Sequence, residues 1–231
     1  MKTVANPGAT TSPPLPDPVA VQLAALSLVP GRPLVIADAD EVLFYFLRGL
    51  EGFLEGRGLY FDWASYALYG NIRRRDDDAV VPAEDLHGLL EGFFAEATES
   101  LMPVDGAAEA LRELSRQAQV VILSNVPLPA RAARERALTR HGMAYPLVAN
   151  SGPKGPAVAA LIDQVGAPAV FIDDIPQNHT SVARLAPAVH RLHFVADPRL
   201  GALLGPAADS HHRAESWPDL HRHIDRLFGA G

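Results

Sequence analysis

The sequence of 231 residues contains no cysteine. This absence excludes disulfide bonds and metal sites built from thiolates, and it is compatible with a reducing compartment, so we expect a cytoplasmic protein. No apolar run approaches the roughly 20 residues that a membrane-spanning helix needs. The net charge is −7, which leaves no basic field to attract nucleic acid or an anionic membrane. Neither partner is therefore expected.

The remaining composition is ordinary for a soluble globular protein, with 48% hydrophobic and 20% charged residues. This length suits one large domain, or one domain with a modest insertion. Residues 1–18 are rich in proline and threonine and lack the pattern of a secretory signal, so we expect a flexible arm there. The folded core is expected to begin at Val19, as a monomer or a homodimer.

Five short apolar segments predict the strands of a single sheet. Four of them are continuous runs, as in strands that helices cover on both faces. Helical patterns lie between them, and this alternation favours right-handed crossovers and a parallel sheet. The predicted fold class is α/β, a Rossmann-like parallel sheet with helices on both faces. The five segments are Pro33–Ala37, Gln119–Ser124, Pro146–Ser151, Ala169–Asp174 and Val189–Val195.

Residues 44–102 separate the first two predicted strands and are far longer than a crossover requires. They contain no convincing strand, but three segments have helical patterns: "FLRGLEGFLEGRG", "DWASYALYGNI" and "PAEDLHGLLEGFFAEATESL". We expect a helical cap inserted after the first strand, with residues 19–43 and 103–231 forming the core. Some of its side chains either line a substrate pocket or, in the preferred interpretation, pack the cap itself. They are Tyr60, Trp63, Tyr66, Tyr69 and Arg73.

Polar side chains follow four of the predicted strands, at the edge where an open parallel sheet binds ligands. Each of them has a plain alternative, because aspartate, serine and asparagine are common in turns and helix caps. The four groups nevertheless converge on the same side of one sheet, which favours a ligand site. They are Asp38, Asp40 and Glu41; Ser124 and Asn125; Lys154; and Asp173, Asp174 and Asn178.

The cluster contains the residue types that phosphoryl transfer requires. Carboxylates this close repel one another unless a cation lies between them, and oxygen donors without histidine or cysteine favour Mg²⁺. Lysine occurs only at positions 2 and 154, so Lys154 is unusual in a chain that otherwise uses arginine, and a compact ammonium suits a phosphoryl oxygen. A carboxylate such as Asp38 can attack phosphorus, and Asp40 can exchange protons with the leaving alcohol and with water.

These residues, in this order, resemble the motifs of the haloacid dehalogenase-like (HAD) superfamily of phosphohydrolases. "IADADEVL" is similar to the first motif, "VILSNVP" to the second, "SGPKGPAV" to the third and "VFIDDIPQN" to the fourth. The similarity covers roughly residues 34–178, and residues 44–102 stand where this superfamily carries its C1-type helical cap. The resemblance implies a Mg²⁺-dependent phosphatase that cleaves a small phosphorylated metabolite through an aspartyl-phosphate intermediate.

The resemblance also implies a role for each residue. Asp38 is the expected nucleophile and a ligand of Mg²⁺, and Asp40 is the expected acid and base, with its carbonyl on the metal. Asp173 and Asp174 are expected to hold Mg²⁺, with orientation of Lys154 as the alternative for Asp174. The residues expected to contact the phosphoryl group or the substrate are Ser124, Asn125 and Lys154. Asn178 is expected to support the loop.

Two positions depart from the family pattern. Glu41 stands where these phosphatases often have glycine, and Val42 stands where they usually have threonine. The alternatives are a dehalogenase-like hydrolase that uses the same Asp38, and a catalytically weak phosphate-binding protein. Asp40 favours the phosphatase, because a halide leaving group needs no proton. No role for Glu41 is evident from the sequence.

Overall fold

A computed structural model describes residues 15–229. The helices are α1 (Asp17–Ala24), α2 (Phe46–Glu55), α3 (Ala83–Ala97), α4 (Ala107–Leu114), α5 (Arg131–Arg140), α6 (Gly155–Val165), α7 (Pro176–Leu185), α8 (Pro198–Leu203) and α9 (Trp217–Gly229). The strands are β1 (Leu34–Ala37), β2 (Leu59–Phe61), β3 (Ile72–Arg74), β4 (Gln119–Ser124), β5 (Leu147–Ala149), β6 (Ala169–Asp173), β7 (His190–Phe194) and β8 (His212–Ala214). None of these helices is long and apolar enough to cross a membrane.

The expected N-terminal arm falls largely on residues 1–14, which lie outside the described residues. Its last two positions, Asp17 and Pro18, form the first turn of α1, so this helix begins two residues before the expected start of the core at Val19. Proline is tolerated in a first helical turn because its missing amide hydrogen would have no partner there.

Six parallel strands form the central sheet, in the order β5–β4–β1–β6–β7–β8. The predicted α/β class is confirmed, and each of the five predicted segments contains a strand. The sixth strand, β8, was not predicted, because "HRA" is short and largely polar. It lies at the edge of the sheet and, among the strands of residues 15–229, pairs with β7 alone, so it needs less apolar surface than a central strand.

Both faces of the sheet are buried, which explains the continuous apolar runs. Along β1, Val35 and Ala37 belong to one hydrophobic cluster, whereas Leu34 and Ile36 belong to a second. Successive side chains of a strand point to opposite faces, so the two clusters lie on the two sides of the sheet. Helices α2, α4 and α9 contribute to the first cluster, and α1, α6 and α7 contribute to the second.

The insertion, residues 44–102, contains two of its three predicted helices, α2 and α3. The prediction of a helix at "DWASYALYGNI" is wrong. The prediction that the insertion contains no strand is also wrong, because β2 and β3 form an antiparallel hairpin there. The Asn71 amide donates to the carbonyls of Ser65 at 3.0 Å and Ala67 at 2.7 Å, and Gly70 has a φ of +84°. These contacts fix a turn that a helical sequence pattern cannot reveal.

The strand order creates a switch point at β1. From β1 the chain builds β4 and β5 on one side, and then crosses to build β6, β7 and β8 on the other. Ala37, the last residue of β1, pairs with both Ile122 of β4 and Ile172 of β6. A crevice forms beyond the carboxyl ends of strands at such a point, so the residues that follow these three strands share one location.

Gly155, at the start of α6, lies against α7 in a contact that leaves no room for a side chain. A β-carbon at this position would overlap the carbonyl and hydroxyl oxygens of Ser181, and the Gly155 amide donates to that hydroxyl at 3.1 Å. We expect Gly155→Ala to lower the free energy of unfolding by about 1–3 kcal/mol, as measured by urea titration.

Gly52→Ala is the matched control, because Gly52 is exposed in the middle of α2 and a β-carbon there meets no atom within 4 Å. This substitution should raise the free energy of unfolding by about 0.5–1 kcal/mol, since alanine restricts the unfolded chain more than glycine does. Equal effects of the two substitutions would contradict the close packing at Gly155.

Candidate active site

Lys154 lies between two carboxylates that come from different strands. Its Nζ is 2.7 Å from Asp38 Oδ1 and 2.7 Å from Asp173 Oδ2. Asp38 is only 4% exposed, and Lys154 and Asp173 are completely buried. The ammonium therefore neutralises carboxylate charge that bulk water reaches poorly.

The loop that follows β1 holds Asp38 in this position. The Asp38 amide donates to the carbonyl of Ile172 at 2.9 Å, which continues the pairing of β1 with β6 by one residue. Asp38 Oδ1 also accepts the amide of Ala39 at 2.6 Å. Further along the loop, the indole of buried Trp217 donates to the carbonyl of Val42 at 2.8 Å. The loop is thus attached both to the sheet and to α9.

Asp173 ends β6 and has partners on both carboxylate oxygens. Besides Lys154, it accepts the Asn178 amide at 2.9 Å on Oδ1 and 3.1 Å on Oδ2, and the backbone amide of Ile175 at 2.9 Å on Oδ1. Asn178 lies in the first turn of α7. It therefore fixes the carboxylate directly as well as joining α7 to the strand end.

Asp174 completes a group of three carboxylates. Asp38, Asp173 and Asp174 each offer an oxygen atom, and these atoms all lie within 4.8 Å of one another. Among the residues of the described chain, the ammonium of Lys154 contacts Asp38 and Asp173. Asp38 and Asp173 are therefore the carboxylates in contact with Lys154, and Asp174 lies in the group of three beside them.

The electrostatics of the group favour a bound cation. Burial raises the pKa of Asp38 to about 7; Lys154 opposes this effect, and Asp173 and Asp40 add to it. Burial also raises the pKa of Asp174, followed by the effect of Asp173. Burial alone would lower the pKa of Lys154, but the carboxylates of Asp173 and Asp38 raise it. Three carboxylates outnumber one ammonium, and their hard oxygen donors match Mg²⁺.

Asp40 is paired with Arg134, a residue that the sequence analysis missed. Arg134 is completely buried in α5, and its Nη2 is 2.5 Å from Asp40 Oδ1, with the Asp40 side chain 21% exposed. The guanidinium also lies 5.0 Å from the ring centre of Phe44. The available signal was helical spacing, because Arg134 stands three and four residues before the buried Ala137 and Leu138.

Ser124 ends β4 and Asn125 follows it, and the two side chains differ in their exposure to the cavity. Ser124 is completely buried, and its hydroxyl accepts the amide of Val126 at 3.1 Å. Asn125 lines the cavity, where its side chain accepts the amide of Asn150 at 2.7 Å and donates to the carbonyl of Gly152 at 3.1 Å. The structure therefore brings Asn125 to the cavity wall and keeps Ser124 within the protein.

A cavity of about 330 Å³ opens at Asp38 and is shared by the sheet edge and the insertion. Its polar lining includes Asp38, Asp40, Asn125, Lys154, Asp174 and Asn178. Of the aromatic residues considered from the sequence, Tyr66 lines the cavity. The others have different surroundings: Tyr60 bonds to Asp78, Trp63 packs on Phe61, Tyr69 is 66% exposed and Arg73 pairs with Asp62.

Glu41 also lines the cavity and is only 3% exposed. Its backbone is left-handed, with a φ of +58°, and its amide donates to the carbonyl of Phe44 at 2.8 Å. Oε1 accepts the amide of Leu47 at 2.6 Å, whereas Oε2 has no hydrogen-bond partner within the described residues. Burial raises the pKa of Glu41 to about 7.

Comparison with solved structures shows the fold to which the chain is similar. A HAD family hydrolase from Deinococcus radiodurans R1, with bound phosphate and sodium, has a TM-score of 0.57 at 22% identity, covering 87% of this chain and 98% of that one. A haloacid dehalogenase-like protein of unknown function from Agrobacterium tumefaciens has a TM-score of 0.59 at 16% identity, covering 85% and 99%. YfnB from Bacillus subtilis, described as a HAD-hydrolase and bound to magnesium, has a TM-score of 0.57 at 13% identity, covering 84% and 99%.

The chain therefore has the fold of HAD-type proteins. No protein-family model matches the sequence, and no curated protein sequence matches it.

His193 of β7 is bonded to the backbone of Asp174, one of the three carboxylate residues of the site. It is completely buried; its Nε2 donates to the carbonyl of Asp174 at 3.0 Å, and its Nδ1 accepts the amide of Ala207 at 3.2 Å. An imidazole that donates at one nitrogen and accepts at the other is neutral. Burial lowers the pKa of His193 from 6.5 to about 4. The pKa of His193 is therefore lower in the folded protein than in the unfolded chain. The contribution of neutral His193 to the free energy of unfolding is fully present above pH 6.5 and is lost as the pH falls towards 4.

Lowering the pH from 7 to 5 should reduce the free energy of unfolding in both the wild type and His193→Gln. We expect the reduction to be larger in the wild type by about 1–2 kcal/mol, where the lower value allows for solvent screening. Urea titrations at the two pH values measure this difference. The exposed His87 of α3 provides a matched control, His87→Gln, which should follow the wild type. The same pH dependence in the wild type and in His193→Gln would show that His193 does not titrate as proposed.

Proposed function

We propose that the protein is a Mg²⁺-dependent HAD-type phosphohydrolase that cleaves a small phosphomonoester through an aspartyl-phosphate at Asp38. The observation that carries this proposal is the buried ammonium of Lys154 between Asp38 and Asp173, at a strand edge that opens into a cavity. A carboxylate held in this way can attack phosphorus while a cation balances the phosphoryl oxygens. The phosphate in the Deinococcus radiodurans structure and the magnesium in YfnB are consistent with this chemistry.

The carboxylates of the site suit Mg²⁺. Asp38, Asp173 and Asp174 would hold the ion, and the backbone carbonyl of Asp40 is the expected fourth protein oxygen. When bound, Mg²⁺ would supply positive charge against the phosphoryl oxygens and help to orient them. The excess of buried carboxylates over ammonium groups supports this assignment.

In the first step, Asp38 is the nucleophile. Its Oδ1 is held by the amide of Ala39 and by Lys154, so Oδ2 is the oxygen that attacks. A bond forms between Oδ2 and phosphorus, the bond from phosphorus to the ester oxygen breaks, and Asp40 gives a proton to the departing alcohol. Lys154 balances charge on the phosphoryl group throughout.

In the second step, water attacks phosphorus and Asp40 accepts its proton. The bond between Asp38 and phosphorus breaks, which releases phosphate and restores the carboxylate. Arg134 holds the carboxylate that accepts this proton, through the contact of 2.5 Å between its Nη2 and Asp40 Oδ1.

The insertion acts as the cap of the site in this proposal. Phe46, Tyr66 and Phe94 come from three parts of the insertion and share the cavity wall with Asp38. Apolar side chains at this position exclude water from the phosphorylated intermediate and strengthen the electrostatic interactions around it.

We expect the wild type to release phosphate from p-nitrophenyl phosphate in the presence of Mg²⁺, with loss of activity on chelation. Asp38→Asn removes the nucleophile, so kcat/KM should fall by roughly a thousandfold or more. Phosphate release and nitrophenolate absorbance measure both effects.

Asp163→Asn is the matched control, because Asp163 is exposed on α6 and does not line the cavity. It should retain wild-type activity. Substantial turnover by Asp38→Asn, or turnover by the wild type without a divalent ion, would refute the mechanism. Halide release from a 2-haloacid without phosphate release would instead support the dehalogenase alternative.

A further inference from the structure

Away from the carboxylates, the wall of the cavity is mostly carbon. Six side chains from α2, the hairpin loop, α3 and the region of α8 make up much of it: Phe46, Leu47, Leu68, Phe94, Leu200 and Leu204. The volume of about 330 Å³ lies at the small end of the roughly 300–1,000 Å³ range of ligand cavities. A ligand that fills this space is small and buries apolar surface.

The cavity offers no second cation to an anionic substrate. Within the described residues, Lys154 is the one basic side chain on the wall, and it already contacts Asp38 and Asp173. The arginines of the adjoining helices, Arg48 of α2 and Arg199 of α8, both bond to Asp197, each at 3.0 Å. A second phosphate or a carboxylate on the substrate would therefore be buried without a partner, which is costly.

Glu41 is the polar exception on the apolar part of the wall. Its Oε1 is occupied by the Leu47 amide, but its Oε2 is buried without a hydrogen-bond partner in the described part of the chain. A buried acceptor that lacks a partner destabilises the protein, because it has lost its hydrogen bonds to water and gained none in exchange. A donor on the ligand would remove this destabilisation, and it would do so at one point in the cavity.

A polyhydroxylated ligand does not suit the same wall. Within residues 15–229, the polar side chains that line it are Glu41, Tyr66 and Asn178, apart from the residues assigned to catalysis, Mg²⁺ and the phosphoryl group. The Asn178 amide donates to Asp173, and the Tyr66 hydroxyl already accepts from Gln177 at 3.3 Å. A sugar carries several hydroxyl groups, most of which would lose water and face carbon. Each unmatched hydroxyl weakens binding, and this gives discrimination against sugars.

We propose that the substrate is the phosphate ester of a small, predominantly apolar alcohol with one further hydrogen-bond donor, and that this donor binds Oε2 of Glu41. The inference rests on the proposed function, because it takes Asp38 as the nucleophile and treats the cavity as the site of the leaving group. Sugar phosphates and bisphosphates are poor substrates on this account. Glu41 selects the leaving group and takes no part in the transfer itself.

The first test ranks substrates with the wild-type protein and Mg²⁺. Benzyl phosphate is compared with its 3- and 4-hydroxymethyl derivatives, which have similar leaving alcohols and differ by one donor, and with glucose 6-phosphate and fructose 1,6-bisphosphate. We expect the better hydroxymethyl isomer to exceed benzyl phosphate in kcat/KM by about tenfold. Benzyl phosphate and the better hydroxymethyl isomer should each exceed the two sugar phosphates in kcat/KM.

The second test is Glu41→Gln. The side-chain oxygen of the glutamine should accept the hydrogen bond from the Leu47 amide, because in the flipped orientation the glutamine NH₂ group would face that amide, and both are donors. The NH₂ group then takes the place of Oε2. The ratio of kcat/KM for the hydroxymethyl ester to that for benzyl phosphate should fall to about one or below. Glu84→Gln, at an exposed position in the first turn of α3, should keep the wild-type ratio.

The outcomes separate this inference from the proposed function. Hydrolysis of p-nitrophenyl phosphate together with a preference for glucose 6-phosphate or the bisphosphate would overturn the inference and leave the phosphohydrolase intact. An unchanged ratio in folded Glu41→Gln would also overturn it. Absence of hydrolysis of every phosphomonoester would overturn both. If Glu41→Gln does not fold, the wild-type ranking alone decides.

Discussion

The buried contact of Lys154 with Asp38 and Asp173 is the interaction on which the rest of the site depends. It joins the end of β1, the start of α6 and the end of β6 through two contacts of 2.7 Å. Without the ammonium, carboxylates that water barely reaches would lack a counter-charge, which costs several kcal/mol. Gly155 lets α6 approach α7 closely at the next residue, so the backbone packing and the charge pairing are linked.

Neighbouring elements hold each member of this contact in place. Asn178 fixes both oxygens of Asp173, His193 holds the carbonyl of Asp174, and Trp217 anchors the loop after β1. These groups come from α7, β7 and α9, which lie far apart in the sequence. Reacting side chains that are held by many partners need little reorganisation, and this preorganisation is the main contribution that a protein makes to phosphoryl transfer.

Features set by local sequence could be predicted, whereas features set by distant contacts could not. Continuous apolar runs mark buried strands, and the polar residues at their ends locate Asp38, Lys154 and Asp173 at one edge. The hairpin of β2 and β3 depends on a turn held by Asn71, which the helical pattern obscured. Arg134 looks like any arginine of a charged helix until Asp40 is placed beside it. Leu200 is distant in sequence from Asp38 and from the insertion, so its place on the cavity wall becomes evident only in the folded structure. The role proposed for Glu41 depends on its left-handed backbone, which places the side chain on the cavity wall.

The central claim is that Asp38 carries the phosphoryl group during turnover. Borohydride reduces an aspartyl-phosphate to homoserine. The protein is quenched rapidly during hydrolysis of p-nitrophenyl phosphate, reduced with borohydride and digested. Peptide mass spectrometry then identifies the residue that carried the phosphoryl group. We expect homoserine at position 38, and only when both substrate and Mg²⁺ are present. Phosphate release accompanied by an unmodified Asp38, or by modification at a different residue, would contradict this account.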